Sequence, residues 1–170
     1  MTGVPERDEY APYYQRYVER VGSGDIVDLL ARQTTEDLAF WRGISEEKAR
    51  HRYAPEKWSV REVLNHVSDT ERVFLYRALW FARGFESELP SFDQDVSSRA
   101  ARAEACPWAS VVEEFRAVRE GSVAFFRNLP TEAWTRRGVA SGNPVSVRAL
   151  AYIVAGHASH HRGVVEARYL

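Results

Sequence analysis

The chain has 170 residues, 45% of them hydrophobic and 28% charged, with a formal net charge of -1. That length suits one domain with a sizeable core, and the near-neutral balance offers neither a basic field for nucleic acid nor an acidic tail. A single cysteine, Cys106, excludes an intramolecular disulfide and a Cys-rich zinc module; with no apolar leader and no run of about 20 apolar residues, the expected location is the cytoplasm, away from membranes.

Helical periodicity recurs in four long stretches, and none alternates convincingly as a strand would. Residues 1–24 read as an N-terminal segment with a short helix around Tyr10 to Val21, and residues 25–170 as the bundle domain. Tyr10, Tyr13, Tyr14 and Tyr17 are expected to cover the bundle or a homodimer contact. The first long helix starts at the N-cap Asp25 and puts Val27, Leu30, Leu38 and Trp41 on one stripe. The second opens with Ser59-Val60-Arg61-Glu62, a capping box, and runs to Gly84 with Val63, Val67, Phe74 and Phe81 inward. Phe85 to Cys106 is then long enough to cross an end of the bundle.

The third helix starts near Pro107 and stops at Pro130, with a stripe of Val111, Phe115, Val118, Phe125 and Leu129. Thr131 to Val145, containing Gly138, Gly142 and Pro144, reads as an irregular segment at a site mouth. The fourth starts at Ser146 and carries Leu150, Ile153, Val154, Val164 and Val165. The fold class is therefore all-α, a four-helix bundle whose long connections argue against simple up-down-up-down order.

Three histidines stand on these inward stripes. On the fourth helix the core positions read Leu150, Val154, His157, His161 and Val164, so two imidazoles fall where apolar residues belong. Burying an imidazole there costs on the order of 2 kcal/mol unless its nitrogens are paired. His66 lies beside the Val63, Val67, Thr70 stripe of the second helix. A divalent ion shared by His66, His157 and His161 supplies the pairing, and three neutral ligands leave coordination positions open, as a catalytic metal requires.

The run Tyr53-Ala54-Pro55-Glu56-Lys57-Trp58-Ser59 leading to His66 and Asp69, together with Gly156-His157 and His160-His161, resembles the DinB/YfiT-like superfamily of metal-dependent proteins. The resemblance spans about residues 25 to 170. It implies an up-down-down-up path and a metal on His66, His157 and His161. It also implies kinship with bacillithiol- or mycothiol-dependent S-transferases and a mycothiol-dependent isomerase.

The expected function is a metal-dependent enzyme, a hydrolase or low-molecular-weight thiol S-transferase, in which the metal activates water or thiol for a small-molecule substrate. Zinc is the first choice of cofactor, with nickel, iron and manganese also suited to imidazole. The alternative is a non-catalytic, metal-stabilised dimeric stress-response or interaction protein. Asp69, one turn beyond His66, and His160 are the candidate catalytic residues, Asp69 as a carboxylate orienting the His66 imidazole; Glu71 is a further possible base. Arg77 is the candidate substrate-binding residue, against the alternative of a buried ion pair with Asp69, Glu71 or Glu114. Asp93 or Asp95, in the crossover, could reach the site mouth.

Overall fold

The structure, a computed structural model, describes residues 3–170. Short 3-10 turns at Arg7–Glu9 and Pro12–Tyr14 lead into α1 (Gln15–Val18), followed by α2 (Ile26–Arg42), α3 (Glu46–Ala49) and α4 (Val60–Ala82). Then come α5 (Gln94–Ala101), α6 (Trp108–Arg127), β1 (Arg137–Ala140), β2 (Asn143–Ser146) and α7 (Val147–Arg168). Three of the four long helices start on side-chain caps. The Asp25 carboxylate accepts from the amides of Val27 and Asp28, Ser59 and Glu62 form a reciprocal box, and Ser146 accepts from Ala149. Each cap is worth about 1 kcal/mol. Pro107 stands at the N-cap of α6, just outside the first turn.

Side-chain contacts give the direction of each helix. Gln33 bonds Ala155 and Ser159, and Asp37 bonds Arg162, so α2 and α7 run the same way. Trp108 donates to Trp41 and Arg119 to Gln33, so α6 opposes α2. Arg61 reaches the carbonyls of Glu104 and Cys106 while Glu71 pairs with Arg119, so α4 and α6 are parallel. The path is up-down-down-up, and its two parallel neighbours require the long crossover between α4 and α6. Among the described residues no helix is long and apolar enough to cross a membrane.

The core is two apolar clusters with a polar layer between them. One cluster joins Ile26 and Leu30 to Phe74–Ala82, Phe126 and Val147–Ala155; the other joins Leu38–Ile44 to Val60–Val67, Trp108–Phe115 and Val165. Between them lie Gln33 and Asp37 of α2, Thr70 and Glu71 of α4, Arg119 and Ser122 of α6, and His157 of α7. The Arg119 side chain is 0% exposed and its fork grips Glu71 through contacts of 2.8, 2.9 and 3.1 Å, with Gln33 taking a further N–H at 2.8 Å.

Several short elements differ from expectation. Where the sequence predicts an irregular segment at 131–145, an antiparallel hairpin runs from Arg137 to Ser146 and pairs Arg137 with Ser146 and Ala140 with Asn143. Its turn puts Ser141 and Gly142 at positive φ. The crossover contains α5, capped by Asp93, whose carboxylate accepts from Asp95 and Val96. The N-terminal helix is a single α-helical turn, Gln15–Val18, preceded by two 3-10 turns.

That N-terminal segment lies along α7. Glu9, buried, binds Arg148 and accepts from Ser146. Next to His157 and five residues before His161, Gly156 lets the backbone come close: a Cβ there would sit 2.0 Å from the carbonyl oxygen of Tyr17.

Candidate metal centre

Because α4 and α7 are antiparallel, the early part of α4 faces the later part of α7, and His66 meets His157 and His161. The Nε2 atoms of His66 and His157 are 3.2 Å apart, and those of His161 and His157 are 3.1 Å apart. All three rings place a nitrogen within 4.8 Å of the others. His66 and His157 are buried and His161 half-buried. Trp58 packs against the His66 ring at 4.8 Å, and Tyr17 meets His157 edge-on at 5.2 Å, giving the centre aromatic walls.

The donor set fits a divalent cation. Thr70 Oγ lies 3.2 Å from His66 Nδ1, one turn along α4, which leaves His66 Nε2 as the ring nitrogen directed at the other two. Neutral imidazoles carrying acceptor lone pairs toward a common point repel unless a cation or proton lies between them. Tetrahedral zinc at about 2.0–2.1 Å from nitrogen requires ligand nitrogens about 3.4 Å apart, close to the spacing here.

Burial keeps these imidazoles unprotonated. It lowers His66 to about 4, against a small opposing pull from Asp95. It lowers His161 to about 3, with His66 and His160 adding to the effect. His157 is held well below the ordinary histidine value, first by burial and then by its histidine neighbours. All three are thus ready as ligands at neutral pH. In the unfolded chain the same rings titrate near 6.5, so below that pH the unfolded state binds more protons. Their contribution to stability is intact above about pH 6.5 and is lost as pH falls through about 4. Thermal melts of chelator-treated protein should show a falling Tm between pH 6.5 and 4, and a flat profile across that window would contradict neutral, buried rings.

The other sequence candidates lie around this centre in different roles. Asp69 does not reach the His66 ring; it accepts from Ser97 at 3.0 Å and pairs with Arg72 at 3.2 Å, tying α5 to α4. Thr70 holds the position at His66 that the sequence reading gave to Asp69. His160 packs edge-on against Tyr17 at 5.4 Å and His161 at 5.0 Å, and its buried Nδ1 has no partner among the described residues. Glu71 is taken by Arg119, so it has no free oxygen directed at the triad. Asp93 serves as the α5 cap, and Asp95, exposed on α5, is close enough to act on His66.

Arg77 forms no ion pair with Asp69, Glu71 or Glu114, which engage Arg72, Arg119 and Arg72 respectively. Its guanidinium donates to the Pro90 carbonyl at 3.0 Å and Ser141 Oγ at 2.9 Å. His66 and His157 lie at one end of an open cleft of about 170 Å³ that Arg77 also lines, with Tyr13, Tyr14, Phe74 and Phe92 as walls. Sequence periodicity could not find this cleft, because its walls come from the N-terminal segment, the crossover and the hairpin.

The bundle has a counterpart among solved structures. The fold matches YfiT from Bacillus subtilis, described as a probable metal-dependent hydrolase with an unusual four-helix bundle topology. The match has a TM-score of 0.70 at 12% identity and covers 98% of this chain and 92% of that one. No curated protein matches the sequence. The sequence profile of the DinB superfamily matches residues 29–165, from the second turn of α2 to the last turns of α7 and across all three histidines. On that match, with the bundle path it accompanies, the chain belongs to the DinB superfamily.

Proposed function

We propose that this chain is a metal-dependent enzyme acting on a small-molecule substrate, with His66, His157 and His161 holding a divalent ion, zinc first. The observation that carries this reading is the convergence of three imidazole Nε2 atoms, spaced 3.1 and 3.2 Å, at the end of an open cleft. A divalent ion there supplies Lewis acidity, lowering the pKa of a water or thiol toward neutrality. The chain's own residues do the rest. Thr70 fixes the His66 ring, Trp58 and Tyr17 keep the surroundings apolar, and α5, held through Asp69 and Ser97, helps to frame the cleft.

Two reactions suit this arrangement, each favoured by a different observation. Hydrolysis is favoured by the likeness to YfiT, described as a probable metal-dependent hydrolase. Thiol transfer is favoured because, among the described residues, no carboxylate hydrogen-bonds the triad. A free thiol has a pKa near ~8.5 and sheds its proton with less help than water does. The rival expectation, a non-catalytic metal-stabilised dimer, calls for a centre walled off from solvent, and the open cleft counts against it.

The test is turnover by zinc-loaded protein of an ester panel and of a haloaromatic electrophile with several small thiols. Chelation should abolish the active reaction and added zinc should restore it. Full metal occupancy without metal-dependent turnover of either class would reject the enzyme reading.

A further inference from the structure

Arg77 is 5% exposed, yet among the described residues it has no carboxylate partner. Burying a guanidinium with no counter-charge is costly, and an anion bound beside it would offset that cost. Only Nη2 is used, by two neutral oxygens; Nε and Nη1 make no hydrogen bond among the described residues. Those free donors belong to the one formally charged side chain lining the cleft when its histidines are neutral. The surrounding acids are committed elsewhere, Asp69 and Glu114 to Arg72 and Glu71 to Arg119.

We propose that Arg77 recognises an anionic group, a carboxylate or its equivalent, on an elongated substrate whose reacting end lies at His66 and His157. This rests on the cleft being the substrate site of the enzyme proposed above. Arg77 follows His66 by eleven residues, three turns of α4, which is roughly 16 Å along the axis. Allowing for side-chain reach, the substrate must extend on the order of 10 Å from its reacting atom to its anion. Tyr13, Tyr14 and Phe74 flank the path between the two ends, so the middle of the molecule can be apolar or aromatic. The free Nε–H and Nη1 N–H groups point to different edges of the fork, and either can give an arriving carboxylate a charge-assisted hydrogen bond while Nη2 stays anchored on Pro90 and Ser141.

Two sets of probes separate this proposal from the metal reading. On metal-free protein, 4-phenylbutyrate and its primary amide are compared by calorimetry, since neither then depends on an ion. The acid should bind roughly tenfold or more tightly than the amide. In Arg77→Gln that preference should shrink below about twofold while the amide's affinity stays the same, and Arg77→Lys should recover only part of it. On cobalt-substituted protein, ω-mercaptoalkanoic acids of graded length are compared with their amides, with the cobalt–thiolate absorption reporting contact at the histidines. The acid preference should peak at one chain length. Equal affinity of acid and amide for metal-free wild type, including no binding of either, overturns the proposal, as does a preference that survives in Arg77→Gln. Failure to take up cobalt would count against the metal centre and leave the phenylbutyrate comparison standing.

Discussion

Replacing His157 with alanine should empty the metal centre: purified wild-type protein should carry about one divalent ion per chain and His157→Ala close to none. His157 is the middle member of the set, with its Nε2 at 3.2 Å from that of His66 and 3.1 Å from that of His161, while the His66 and His161 rings meet edge-on with centroids 4.9 Å apart. Its loss leaves two imidazoles, too few to retain an ion through purification. Thr70→Val should act more mildly, because it frees the His66 ring without removing a ligand; affinity should fall about 10- to 100-fold. Elemental analysis of both variants beside wild type reads the two effects. Near-normal metal in His157→Ala would remove the histidine cluster from consideration.

The largest expected effect on stability lies one layer away. Glu71→Gln keeps the shape of the side chain but strips the counter-charge from Arg119, which is 0% exposed and bonded to both carboxylate oxygens. Removing one partner of such a pair costs about 3–5 kcal/mol, because the remaining charge stays buried. For a chain of this size that corresponds to a fall in Tm of roughly 10 °C. Replacing both partners with apolar residues of similar volume should recover most of the loss. Denaturant melts of Glu71→Gln and of a Glu71→Leu, Arg119→Met double variant test this, and a single-variant cost below about 1 kcal/mol would show that the pair is better solvated than its burial implies.

The helix frame was legible because caps and apolar spacing are local signals. Asp25, Ser59 with Glu62, and Ser146 mark the starts of α2, α4 and α7, and the stripe of α4 lies inward as read. The triad was legible for a similar reason: two imidazoles occupy core positions of one helix and a third sits beside the core stripe of another. The rotation of α6 was not. Its innermost positions include Arg119 and Ser122, so a search for apolar residues favours Val118 and Phe125, which lie half-buried on the flank. A buried arginine becomes visible only when Glu71 comes to meet it from another helix.

The same limit applies around the site. Asp69 and Thr70 follow His66 by three and four residues, and both spacings are compatible with contact on a helix. The competing attraction of Ser97 and Arg72 for Asp69 depends on where α5 docks. The hairpin escaped notice because its strands are four residues each and contain Gly138 and Pro144, which weaken any alternating pattern.

The close approach at Gly156 divides responsibilities within the chain. The profile shared with relatives starts at residue 29, whereas Tyr13, Tyr14 and Tyr17, which border the cleft, precede it. On the proposed reading, the residues that would hold the ion, and Arg77, all lie inside the profile, whereas three aromatic walls of the cleft come from the segment before it, joined where a bare backbone position admits the leading strap. Changes at those early tyrosines would therefore reshape the cleft without altering the three histidines.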